Sequence, residues 1–317
     1  MNKIEKIAKL VLLDCLELQP KQSILLVHEV KQTHAALAFH SVAAKAHLEI
    51  FALALPDGSK GQPQLSSFSK NLIQAAEFAV ILLSKPEAQS LNWLRQQNRT
   101  RIVVFSQIDD EAVLSSLEVD QPRVRERSRK LADILTIGRT LQLTTANPTT
   151  AGLKMSIAQN RGIAEITPML PEVNYATLPL GRAYLTPVVS SVEGEVILDG
   201  LSGSRSASSS SIYLKVVDGR ITLIKGGKTA DELRRQLRQP GANARMVVEI
   251  GFGLNDKARL GNSAFEDEKV LGTAHLGFGR MIGGSKIPEI FARGILQAPS
   301  VTIDGKKIIE QGELLFG

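Results

Sequence analysis

The sequence predicts two domains in series: an α/β domain with a parallel sheet over residues 1–140, then a mixed, β-rich domain over residues 141–317. Three observations carry this. Apolar β-type runs alternate with helix-like stretches through the first 140 residues. Those runs are apolar along their whole length, as in strands covered on both faces by helices. Beyond residue 141 short β-like runs adjoin turn signals, and Asp-Gly dipeptides stand between apolar segments at 218–219 and 304–305. A chain of 317 residues also suits two cores better than one.

The elements follow in order. Ile4, Ile7, Leu10, Val11 and Leu18 fall near one face of an amphipathic first helix. Asp14 and Glu17 interrupt its apolar run and no small-residue cleavage site follows, so a helix is favoured over a signal peptide. Strands are expected at 23–29, 48–55, 78–84 and 101–108, with helices at 33–47, 65–77 and 87–97 between them. A helix from Pro122 to about Leu135 closes the series. A long loop at 55–64 has no phosphate-binding glycine pattern. In the second half, 141–157, 194–200, 211–227 and 300–315 read as strands and hairpins, and the serine-rich stretch at 202–211 as a flexible loop.

Composition narrows the function. The apolar runs are far shorter than the roughly 20 residues a spanning helix needs, so no membrane segment is expected and the chain reads as cytoplasmic. Cys15 stands alone and reads as a buried structural thiol. The net charge of +6 comes partly from basic clusters at 123–130 and 234–238, which have helical spacing. Without interleaved aromatics they read as solvated helix faces, and no nucleic-acid partner is expected. His34 and His40, six apart on one helix, point to different faces, while His28 and His47 lie at element ends. His275 is the one histidine beyond residue 47. It stands between the acidic cluster Glu266-Asp267-Glu268 and the pair Gly283-Gly284.

Four blocks in the second half carry a resemblance: "NYATLPLGRAYLTPVVSSVEGEVILDG" (174–200), "VVEIGFGLND" (247–256), "DEKVLGTAHLGFG" (267–279) and "PSVTIDGKKII" (299–309). In this order they resemble the aminopeptidase T type of metallopeptidase, a family that also includes 2,5-dihydroxypyridine dioxygenase. The resemblance implies an N-terminal α/β domain and a β-rich domain bearing a two-metal site, with ligands from two glutamates, two histidines, a tyrosine and an aspartate. Carried over by position, those ligands fall on Arg182, Glu249, His275, Ile282, Phe291 and Arg293. Only Glu249 and His275 keep a ligand side chain. A guanidinium stays protonated and cannot coordinate a cation. "FARG" (291–294) also lacks the histidine and aspartate on which the dioxygenase branch depends.

The expectation is therefore a non-catalytic, metal-free and cofactor-free protein on an aminopeptidase-like frame. Arg182, Glu249, His275 and Arg293 should meet in one pocket between the domains, with Glu249 paired to an arginine and His275 lining the pocket. A peptide or small carboxylate is the expected ligand. The resemblance further implies a homodimer formed through the β-rich domain. The alternatives are an active metal-dependent aminopeptidase and a metal-free enzyme using Glu249 and His275 as acid and base.

Overall fold

The computed structural model describes residues 2–56, 64–108, 114–145, 152–204, 211–238, 242–283 and 285–316. Most of the loop expected at 55–64 and of the serine-rich stretch at 202–211, and Gly284, lie outside them. Contacts divide the chain into two compact units, Met1–Glu118 with Glu165–Leu180, and Val119–Ala164 with Gly181–Gly317. No helix among the described residues is long and apolar enough to cross a membrane.

The first unit opens with helix α1 (Lys3–Lys9). Asn2 and Glu5 form its capping box, each side chain accepting from the other's backbone N–H. The helix continues as a widened turn over Leu10–Cys15. This widening rotates the buried face, so Leu12, Cys15 and Leu16 are buried with Ile7 and Val11 while Leu10 is only half-buried. Burial pushes the Cys15 thiol up to about 12, which leaves it an inert packing group.

Strands β1 (Ser23–Glu29), β2 (Glu49–Leu55), β3 (Phe78–Leu82) and β4 (Arg101–Phe105) alternate with helices α2 (Thr33–Lys45), α3 (Ser67–Ala75) and α4 (Ala88–Arg95). The sheet runs β2-β1-β3-β4 and all neighbours are parallel, as expected. Burial on both faces holds for β3 but not for the edge strand β2, where Phe51 is 62% exposed. His28 is buried, its Nδ1 2.9 Å from the Glu29 carbonyl oxygen, whereas His47 is exposed.

The chain then leaves this unit through helix α5 (Gln121–Ile137), capped by Asp120, whose side chain accepts from Arg123 N. Helix α5 packs on β9 (Arg182–Leu185) of the second unit, and Arg127 reaches Asp256 at 3.1 Å. Strands β5 (Thr140–Thr144), β6 (Gly152–Ser156) and β7 (Ile163–Glu165) come next, and β8 (Tyr175–Leu178) returns to pair parallel with β4. The sequence pattern marks one change of character near residue 140. The contacts instead place α5 with the second unit and 165–180 with the first.

The second unit is a large antiparallel sheet. After β9 come β10 (Glu193–Leu198), β11 (Gly200–Leu201), β12 (Ile212–Val217), β13 (Arg220–Lys225), helix α6 (Lys228–Arg238) and β14 (Met246–Gly253). A short helix α7 (Ala264–Asp267) precedes β15 (Ala274–Arg280), β16 (Glu289–Leu296), β17 (Ser300–Ile303), β18 (Lys306–Glu310) and β19 (Glu313–Leu314). Both Asp-Gly dipeptides make tight hairpins. Asp218 and Gly219 join β12 to β13 with φ of 49° and 74°, and Asp304 and Gly305 join β17 to β18 with φ of 49° and 82°. Positive φ at both central residues matches the right-handed twist of the flanking strands.

Candidate charge-cluster site

Four strands of the second unit bring the sequence-selected residues together. In the antiparallel register Gly251 lies opposite His275 and Tyr184, Gly253 opposite Arg182, and Gly277 opposite both Glu249 and Arg293. A bulge between Val247 and Glu249 sets this register. Directly opposed residues share a face, so Arg182, Tyr184, Glu249, His275 and Arg293 all project from one side of the sheet. Glycine between them makes room. A Cβ on Gly251 would collide with the His275 ring, and one on Gly277 would lie 2.8 Å from Glu249 Cβ.

Glu268, the residue that ends α7, completes the cluster from outside the sheet. Its Oε2 accepts from Arg182 Nη1 at 2.6 Å, and its Oε1 lies 3.2 Å from Arg293 Nη1. Arg293 Nε donates to Glu249 Oε1 at 2.9 Å, and Arg182 Nη1 is 3.6 Å from that same oxygen. His275 Nε2 stands 3.3 Å from Arg182 Nη1 and 3.5 Å from Glu249 Oε1, and its Nδ1 has no hydrogen-bond partner. Lys269 Nζ is 3.9 Å from Glu268, and the Arg182 guanidinium lies over the Tyr184 ring at 4.2 Å. Arg182, Glu249, Glu268, Lys269 and His275 are buried, while the Arg293 side chain keeps 11% exposure.

The electrostatics follow from burial and pairing. Burial alone would raise the Glu268 carboxyl, but Arg293, Arg182 and Lys269 hold it below the ordinary carboxylate range. Burial depresses His275 despite its contact with Glu249, so the imidazole is neutral near pH 7. Burial works against the Arg293 charge too, yet Glu249 and Glu268 together raise its pKa. Two arginines and a lysine thus face the Glu249 and Glu268 carboxylates, with the Asp267 carboxyl close enough to Glu268 to feel its charge.

The pairing expected for Glu249 is present, and the four residues lie together within the second unit. Ile282 and Phe291 are half-buried, and Phe291 carries the Arg280 guanidinium at 5.7 Å from its ring centre. The sequence reading missed Glu268 and Lys269 as members. The run Glu266-Asp267-Glu268 was the available signal, but its three carboxylates do different work. Glu266 accepts from Arg259 N, and Asp267 accepts from Gly203 N and Gly261 N. Only Glu268 reaches the arginines.

These residues do not fit a bound metal. Arg182 Nη1 sits within 3.6 Å of Glu249, Glu268 and His275, so a cationic nitrogen occupies the middle of the only nearby donor set among the described residues. No three His, Cys, Asp or Glu side chains among those residues gather closely enough to hold an ion.

A model of the NicX family, 2,5-dihydroxypyridine 5,6-dioxygenase, matches residues 6–280. The chain belongs to this family. Its fold is that of 2,5-dihydroxypyridine dioxygenase from Pseudomonas putida KT2440, with a TM-score of 0.76 at 19% identity, covering 99% of this chain and 96% of that one. AmpT from Thermus thermophilus is similar as well, with a TM-score of 0.70 at 14% identity and 99% coverage of both chains. Comparison with curated proteins gives no match. The family resemblance read from the four sequence blocks, and the α/β plus β-rich architecture read from the apolar pattern and turn signals, are thereby established.

Proposed function

We propose that this chain is a non-catalytic member of the NicX and aminopeptidase T frame that binds a carboxylate, such as a peptide terminus, through Arg182 and Arg293. The observation that carries the reading is Arg182 Nη1 placed among Glu249, Glu268 and His275, where a fixed guanidinium charge replaces any exchangeable cation. Arg293 is the more exposed of the two arginines, and its buried Nη2 has no hydrogen-bond partner, so one donor of the cluster is left unmatched. A protein of this kind could present a peptide to a processing or biosynthetic enzyme. It acts as a homodimer closed over strand edges of the β-rich unit.

Titration with short peptides bearing free or amidated C-termini tests the ligand. Free carboxylates should bind more tightly, and equal affinity for the two forms sinks the idea. A monomer in light scattering at micromolar concentration would count against the dimer. The family match favours a second reading, ring cleavage of a dihydroxypyridine. Protein incubated with ferrous iron and 2,5-dihydroxypyridine in air should leave the substrate's absorbance unchanged. Iron-dependent loss of that absorbance would establish the dioxygenase instead.

A further inference from the structure

Glu268 contacts the two arginines as an external carboxylate would, one oxygen to each guanidinium, at 2.6 and 3.2 Å. Its origin differs from that of Glu249, which is fixed within a central strand. Glu268 follows a four-residue helix whose other acidic side chains are engaged with backbone N–H groups of 203, 259 and 261. Helix α7 is thus anchored independently of the arginines, and the Glu268 side chain is the one acidic group it sends into the cluster. Arg293 Nη2, buried and without a hydrogen-bond partner, adds an unmatched donor beside the Glu268 carboxylate.

We infer that Arg182 and Arg293 form a carboxylate subsite whose resident occupant is the chain's own Glu268, and that a ligand carboxylate enters by exchanging with it. This rests on the carboxylate-binding reading above and adds the competitor that controls affinity. An internal occupant lowers apparent affinity by the fraction of time it holds the site. Removing it should strengthen binding of a simple carboxylate by about tenfold or more.

The test uses the full chain, with propionate as the probe. Glu268→Ala removes the carboxylate and leaves a space that propionate can fill. Propionate should raise the melting temperature of this variant, while propionamide, or sodium chloride at equal ionic strength, should not. Glu268→Gln fills the same space with a neutral amide and should show no propionate effect. A Glu268→Ala protein that folds only in propionate also supports the exchange. A folded Glu268→Ala protein indifferent to propionate overturns it, as does one that stays unfolded in propionate. An equal response from Glu268→Gln would place the anion elsewhere and likewise overturn it. The two readings fail separately. Wild-type preference for free peptide carboxylates with no gain in Glu268→Ala leaves binding intact without exchange. The reverse result keeps the subsite and removes the peptide.

Discussion

The cores of the two units solve burial in opposite ways. Strand β3 is Phe-Ala-Val-Ile-Leu, buried at every position, and any apolar neighbour of suitable volume satisfies it. The face built by β9, β14, β15 and β16 buries arginine, glutamate and histidine side by side. A charge removed from water must be matched by a particular partner at a particular distance, or the desolvation cost stands uncompensated. The first region is therefore tolerant of repacking. The second is specific, and losing one member exposes the cost borne by the others.

The sharpest break of this comparison is Arg182→Ala. It leaves Glu268 without its 2.6 Å partner and weakens the compensation of Glu249. Chemical denaturation should show a loss of about 3–5 kcal/mol, the usual consequence of removing one side of a buried pair. A change within experimental error would mean that the cluster contributes nothing to folding.

Asp267 gives the next effect, and its sign separates it from its neighbour. Burial, set against the N–H groups of Gly203 and Gly261, raises its carboxyl to about 6. Folding therefore favours the protonated form. Its contribution is fully present below the unfolded value of about 4 and is lost as pH rises through about 6. Compared with Asp267→Asn, the wild type should gain on the order of 2 kcal/mol between pH 7 and pH 4. Glu268 acts in reverse, since its lowered pKa supplies stability that is lost on acidification. His275 also acts in reverse, because its depressed pKa favours the neutral ring and its contribution fades as pH falls below about 6.5. Both cancel when the two proteins are compared. Parallel stability–pH curves for wild type and Asp267→Asn would refute the raised Asp267 value.

The smallest expected effect belongs to the apolar side of the comparison. Ile81→Val in β3 removes one methylene from a fully buried position and should cost about 0.5–1.5 kcal/mol, independent of pH between 5 and 8. A loss as large as that of Arg182→Ala would erase the distinction between the two cores.

Much of the fold was legible because its signals are local. Apolar runs separated by helical spacing mark β1 to β4, and Asp-Gly marks both tight hairpins, since positive φ at two successive residues is a demand made by the turn itself. Arg182, Glu249 and His275 were legible through the ordered sequence blocks, and Arg293 through the "FARG" segment that follows the third of them. Glu268 was not, because three consecutive carboxylates look alike in sequence and only their directions at the end of a short helix separate them.

The sequence by itself determined the strand and helix segments and the parallel character of the first sheet. Local periodicity and side-chain chemistry are enough for these. Only the tertiary structure decided that β8 completes the first sheet beside β4, that α5 packs with the second unit, and that Glu268 bridges both arginines. A strand's partner, a helix's docking face and a charge's counterion all depend on contacts between residues far apart in the chain. Such contacts are settled by which arrangement buries apolar surface while leaving each buried charge compensated.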